Sequence, residues 1–142
     1  MIKLDISHLS WQLNKSFNIS RGSKNTAETI EVKLTENKFT GIGECVPYGR
    51  YNETLESVQK QILELKDGIE NSEINKKNLD QFIKNGAARN AIDCALWDLE
   101  SKKKKETVWS MLDVQKPQEI PSSYTVVLLS LIHISEPTRP RL

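Results

Sequence analysis

GAARNAIDCALWDLESKKKK, residues 86–105, is the stretch whose spacing decides the fold. Ala88, Ala91, Ile92, Ala95, Leu96 and Leu99 recur at helical intervals along one face, which Ala87 and Cys94 widen. The small side chains on that face would let the helix approach a neighbour closely. Lys102 to Lys105 close the run, where cations suit the negative end of the helix dipole, and they read as a solvated helix end.

Upstream, the period is two. Ile2, Leu4 and Ile6 share one face of a strand, while Leu9, Trp11 and Leu13 fall on the opposite parity, which predicts a bulge near Ser7 and His8. Ile30, Val32 and Leu34 alternate in a second strand, and FTGIGECV forms a third after the ENK turn. A polar loop, SRGSKNT, separates the first two strands. Leu55, Val58, Ile62, Leu65 and Ile69 then follow 3/4 spacing, with Asn52 or Thr54 as N-cap and Gly68 weakening or ending the helix. Leu79, Phe82 and Ile83 suggest a second helix, and Thr107 caps a short one, VWSMLD. After the proline-flanked linker KPQEIP, SSYTVVLL restarts a strand. The order of elements predicts an α+β fold: a three-stranded antiparallel meander followed by helices, and then the start of something else.

The bulk properties set limits. The chain of 142 residues, 37% hydrophobic and 27% charged, is expected to form one globular unit with a real core. A net charge of +1 gives no reason to expect nucleic-acid or membrane-surface binding. The start, MIKLDISHLS, is no secretory signal, and no uncharged apolar run approaches the ~20 residues that cross a bilayer. Cys45 and Cys94, far apart and outside any CxxC, suit a reduced, cytoplasmic protein.

Few residues suggest chemistry. His8 has no second ligand at metal spacing and reads as structural or surface. Cys45 and Cys94 read as inert core thiols. Two loops stand out. SRGSKNT carries Arg21, Ser23 and Lys24, and VPYGRYNE carries Tyr48, Arg50 and Tyr51 immediately before a helix. Cationic loop residues of this kind can hold a carboxylate. No P-loop, HExxH, nucleophile elbow or CxxC occurs, so no complete catalytic constellation is expected.

GIGECVPYGRYNETLESV (41–58) and GAARNAIDCALWDLESK (86–102) resemble the amino-terminal capping domain of the dipeptide epimerases, the L-Ala-D/L-Glu epimerases of the enolase superfamily. This is the mandelate racemase/muconate lactonizing enzyme type, and the resemblance covers residues 1 to 128. It implies a capping domain over residues 1–118, then a linker and the first strand of a truncated (β/α) barrel over 119–128. It also implies an isomerase of cell-wall peptide metabolism, with Mg²⁺ held by three carboxylates of the barrel and two lysines exchanging the α-proton of the Glu residue. Two capping-domain loops would exclude water and select the side chain. The partner implied is a small dipeptide substrate, and the complete enzyme is expected to be a homo-oligomer.

Carried onto this chain, those loops are SRGSKNT and VPYGRYNE. Arg21 and Lys24 become candidates for the anionic glutamate end, Tyr51 a further contact, and Thr125 the barrel-strand threonine that faces the dipeptide. The resemblance places the metal-binding carboxylates and both catalytic lysines beyond these residues, so the chain itself is expected to be inactive. Sister readings are o-succinylbenzoate synthase, muconate cycloisomerase, or a stand-alone non-catalytic binding module.

The tail departs from that family. LSLIHISEPTR, from Leu129 through Arg139, resembles a translated transposase-library sequencing adapter, so residues 129–142 are expected to be adapter-derived and His133 to carry no function. YTVVLLSLIHI is uncharged, β-branched and free of proline. It predicts an aggregation-prone edge, which a sharp, cooperative melt of a monomer would contradict.

Overall fold

A computed structural model describes residues 1–19 and 22–122. Strands β1 (Lys3–Ile19), β2 (Gly22–Glu36) and β3 (Phe39–Cys45) form one antiparallel sheet in the order β1-β2-β3. Helices α1 (Leu55–Glu64), α2 (Lys66–Glu70), α3 (Leu79–Phe82), α4 (Ala87–Lys104) and α5 (Val108–Met111) follow. The strand that SYTVV predicts, and with it Thr125 and the tail, lies outside the described residues.

The helices cover one face of the sheet. Leu4, Ile30, Val32 and Leu34 meet Val58, Ile62, Ile69 and Ile92 in a single core whose members are at most a few per cent exposed. On α4 the expected stripe is buried from Ala88 to Leu99. It lies directly on β3, where Gly41 and Gly43 leave room for helix backbone. A Cβ on Gly43 would stand 2.0 Å from the Ala91 carbonyl oxygen, and one on Gly41 would stand 2.2 Å from that of Ala95. The alanine stripe and the glycines are two halves of one contact.

Helix side chains also occupy both outer edges of the sheet. On β3, the Ile42 N–H donates to Asp98 Oδ2 at 2.8 Å, while Lys102 Nζ donates to the Thr40 carbonyl at 2.7 Å and Asn90 Nδ2 to that of Glu44 at 3.3 Å. On β1, the Leu4 N–H donates to Glu70 Oε1 at 2.8 Å and its carbonyl accepts from Lys66 Nζ at 2.5 Å. Backbone groups that would template another strand are thereby engaged along β3 and at Leu4 of β1.

Four expectations need correction. Pairing runs unbroken from Lys3 to Gln12, and the register shifts between Gln12 and Phe17, not at Ser7 and His8. Leu9 and Trp11 are apolar residues on the outer face, where Trp11 Nε1 donates to Thr29 Oγ1 at 3.2 Å and to Glu44 Oε1 at 3.3 Å. SRGSKNT is largely strand, since β2 begins at Gly22. The first helix breaks at Leu65, whose N–H reaches back to the Ile62 carbonyl at 3.2 Å, before Gly68 is reached. Cys94 is exposed, because β3 is an outer strand and, among the described residues, no further strand covers that flank of α4. Of the two proposed N-caps, Thr54 acts: its hydroxyl accepts from the Ser57 N–H at 3.1 Å and Ser57 Oγ accepts from the Thr54 N–H at 2.9 Å.

Candidate functional site

The β1–β2 hairpin and the segment after β3 come together at one end of the sheet. A 3-10 turn, Gly49–Tyr51, is closed by the Tyr51 N–H on the Tyr48 carbonyl at 2.8 Å. Asn52 ends it in the left-handed region, at φ 58°, a conformation that asparagine tolerates. This turn holds Tyr48 and Tyr51 outward with ring centroids 6.0 Å apart at an interplanar angle of 49°. Lys24 extends from β2 so that its Nζ stands 5.9 Å from the centre of the Tyr48 ring. Tyr51 is 71% exposed and Tyr48 42%, a large share of aromatic surface left in solvent.

Beside the tyrosines opens a cleft of about 490 Å³, lined by Cys45, Val46, Glu53, Gly86 and Asn90 as well as by both rings. The Cys45 thiol is pushed up to about 11, mainly by burial and further by the Glu53 and Glu44 carboxylates, so it is no nucleophile at neutral pH. Among the described residues no three His, Cys, Asp or Glu side chains converge to hold a metal ion, so these residues do not fit an Mg²⁺ centre. The arrangement offers a cation, two aromatic faces and an apolar-walled recess. Chemically it can bind and orient an anionic side chain.

Of the sequence candidates, Lys24 and Tyr51 thus lie at one site, with Tyr48 between them. Arg21 and Thr125 lie outside the described residues. His8 stands apart, its Nε2 2.7 Å from Glu28 Oε2 on the exposed surface. The sequence reading missed Glu53, whose Oε2 accepts the Tyr48 N–H at 3.2 Å and whose Oε1 accepts the Ala87 N–H at 2.7 Å. Its place beside the Thr54 cap hinted at helix entry, but nothing local revealed its second partner, more than thirty residues away.

A one-sided antiparallel sheet backed by helices, with a hairpin and an aromatic turn meeting at one end, defines a capping domain of the enolase-superfamily type. The chain belongs to the mandelate racemase/muconate lactonizing enzyme N-terminal domain family, which matches residues 1–113. It is similar to the L-Ala-D/L-Glu epimerase of Escherichia coli K12, at 36% identity over 119 residues, covering 84% of this chain and 37% of that protein. It is 40% identical over 86 residues to an N-acetyl-D-glutamate racemase of Pseudoalteromonas, covering 58% of this chain and 27% of that protein.

Among solved structures, an Agrobacterium tumefaciens enolase family member with homology to dipeptide epimerases matches with a TM-score of 0.84 at 37% identity. That match covers 91% of this chain and 39% of the other, which was crystallised with sodium, L-Ala-L-Glu and an ordered loop. The Enterococcus faecalis V583 dipeptide epimerase, complexed with Mg and L-Leu-L-Tyr, matches with a TM-score of 0.65 at 27% identity, covering 78% and 34%. The chain therefore spans about two fifths or less of the length of these relatives.

Proposed function

We propose that this chain is the substrate-selecting capping domain of an Mg²⁺-dependent dipeptide epimerase, a cytoplasmic homo-oligomer that inverts the Glu α-carbon of L-Ala-D/L-Glu. The observation that carries the reading is the meeting of Lys24 with Tyr48 and Tyr51 above an apolar-walled cleft. A glutamate side chain is an anion on a short apolar stem, and this site offers a counterpart for each part. The Agrobacterium relative, with L-Ala-L-Glu bound, supports the same substrate class.

Arg21 and Thr125 are proposed as further contacts of the dipeptide. The proposed division stays as the sequence suggests: residues 1–118 as the cap, 119–128 as linker and barrel strand, and 129–142 as adapter-derived. Among the described residues no acidic cluster could hold a metal ion, and the chain is proposed to be inactive without the rest of the protein.

A second reading is racemisation of an N-acylated glutamate, favoured by the 40% identity to the Pseudoalteromonas racemase. Both readings share the glutamate carboxylate. The test begins with genomic DNA, amplified across the Leu128 codon and read downstream. The protein from the continuous frame is then assayed in D₂O with Mg²⁺ for α-proton exchange. Exchange of L-Ala-L-Glu supports the first reading, and exchange of N-acetylglutamate in its place supports the second. Absence of exchange with both, from a folded protein, rejects both. Genomic DNA that encodes SLIHISEPTRPRL and then stops would reject the proposed division and revive the stand-alone module.

A further inference from the structure

We infer that Glu53 is the positioning residue of the aromatic loop: it fixes Tyr48, and through it the Lys24 contact, to the amino end of α4. This rests on the reading of that loop as a specificity element. A single carboxylate accepts two backbone N–H groups that come from different parts of the chain. Oε1 takes the Ala87 N–H at 2.7 Å, one of the N–H groups a helix start leaves unpaired. Oε2 takes the Tyr48 N–H at 3.2 Å, at the root of the 3-10 turn.

The surroundings fit a built clasp. Tyr48 through Tyr51 bury no residue of their own, so core packing does not fix the turn. Within the turn the Tyr51 N–H bonds the Tyr48 carbonyl at 2.8 Å and the Asn52 N–H that of Gly49 at 3.1 Å, and the Glu53 carboxylate ties the turn to the rest of the fold. Gly86 stands against the carboxylate, and a Cβ there would lie 2.8 Å from Glu53 Oε1. Gly86 has φ 167°, extended backbone open to any residue, so close approach to Glu53 is the constraint at that position. Both carboxylate oxygens are thus used, each on a different element.

Glu53→Gln separates positioning from plain helix capping. The amide oxygen can keep the Ala87 bond, while the amide nitrogen, itself a donor, faces the Tyr48 N–H and cannot accept from it. Gly86→Ala attacks the same carboxylate from the other side without changing charge. The experiment is NMR on the isotope-labelled 142-residue chain. In the wild type the Tyr48 and Ala87 amide protons are protected from exchange with solvent, and the Lys24 ε-methylene is shifted upfield by the Tyr48 ring. In Glu53→Gln the Tyr48 amide loses its protection while Ala87 keeps it, and the Lys24 upfield shift is lost, while the rest of the amide spectrum and the melting temperature stay close to wild type. In Gly86→Ala the Lys24 shift is likewise reduced.

A Lys24 shift that survives Glu53→Gln, or a Tyr48 amide as well protected in Glu53→Gln as in the wild type, would overturn the inference. L-Ala-L-Glu added to the wild type reports separately on the functional reading. If Lys24 and Tyr51 do not respond, that reading loses support, while the clasp is still judged by the Lys24 shift.

Discussion

Lys24 carries the charge logic of the proposed site, and it sits on the surface with an aromatic ring for a neighbour. A hydrogen bond to a charged group is worth ~1.5–3 kcal/mol when water is excluded, so Lys24→Ala in the complete enzyme should lower kcat/KM for L-Ala-L-Glu by ~10–100-fold. The loss should appear mostly in KM, because a residue that holds the substrate's distal end binds ground and transition states alike. Steady-state kinetics with L-Ala-L-Gln as the uncharged comparison checks this, and an equal loss on both substrates would remove Lys24 from the role. The two thiols make a second residue-scale case. Cys45 is buried with its pKa pushed up to about 11, whereas Cys94 is exposed, and its smaller upward shift comes mainly from partial burial. Iodoacetamide at pH 8 should therefore modify Cys94 first and leave Cys45 until the protein unfolds, as mass spectrometry of the peptides would read.

At the scale of elements, the contact between α4 and β3 is the least forgiving. Gly43→Ala sets a methyl 2.0 Å from the Ala91 carbonyl oxygen, and backbone cannot yield as a side-chain tip can. The expected loss is ~3 kcal/mol or more, at the upper end of overpacking costs. Thr54→Ala removes half of a reciprocal cap and should cost ~1 kcal/mol. Urea unfolding of both variants checks the order, and a Gly43→Ala protein less perturbed than Thr54→Ala would refute the packing account. The helix face was legible because alanine and leucine recur every three or four residues. Its partner was less so. Gly41 and Gly43 read as ordinary strand glycines until the helix backbone is seen lying against them, and the edge bonds from Asp98 and Lys102 depend on that same approach.

For the whole molecule, acid sensitivity follows from carboxylates that bind the elements together. Glu70 is lowered by Lys66 and then by the Leu4 N–H, Glu36 by Lys103, and Glu100 by Lys104 and then Lys76. Each has a folded pKa below the ordinary 4.5, so its stabilisation is present above that value and is lost as pH falls through the lowered folded pKa. The melting temperature should be flat from pH 7 down to about 5 and fall below about 4.5, with Glu70→Gln flattening the acid limb. These pairs are only partly buried, so the effect is modest and shrinks in high salt. A melting temperature that does not change down to pH 3 would show that the pairs contribute nothing.

The sequence by itself determined the α+β order, the alternating strands, the buried stripe of α4 and the family, because periodicity and local motifs are properties of neighbouring residues. It also placed Lys24 and Tyr51 on candidate loops, since charge and aromaticity beside turn residues can be seen locally. Only the tertiary structure decided that Lys24 reaches Tyr48, that Glu53 joins the loop to α4, that Cys94 lies outside the core and that Leu9 and Trp11 occupy the sheet's outer face. Each of these depends on groups far apart in the chain meeting in space. A one-dimensional pattern holds no record of that distance, because packing sets it after the elements have formed.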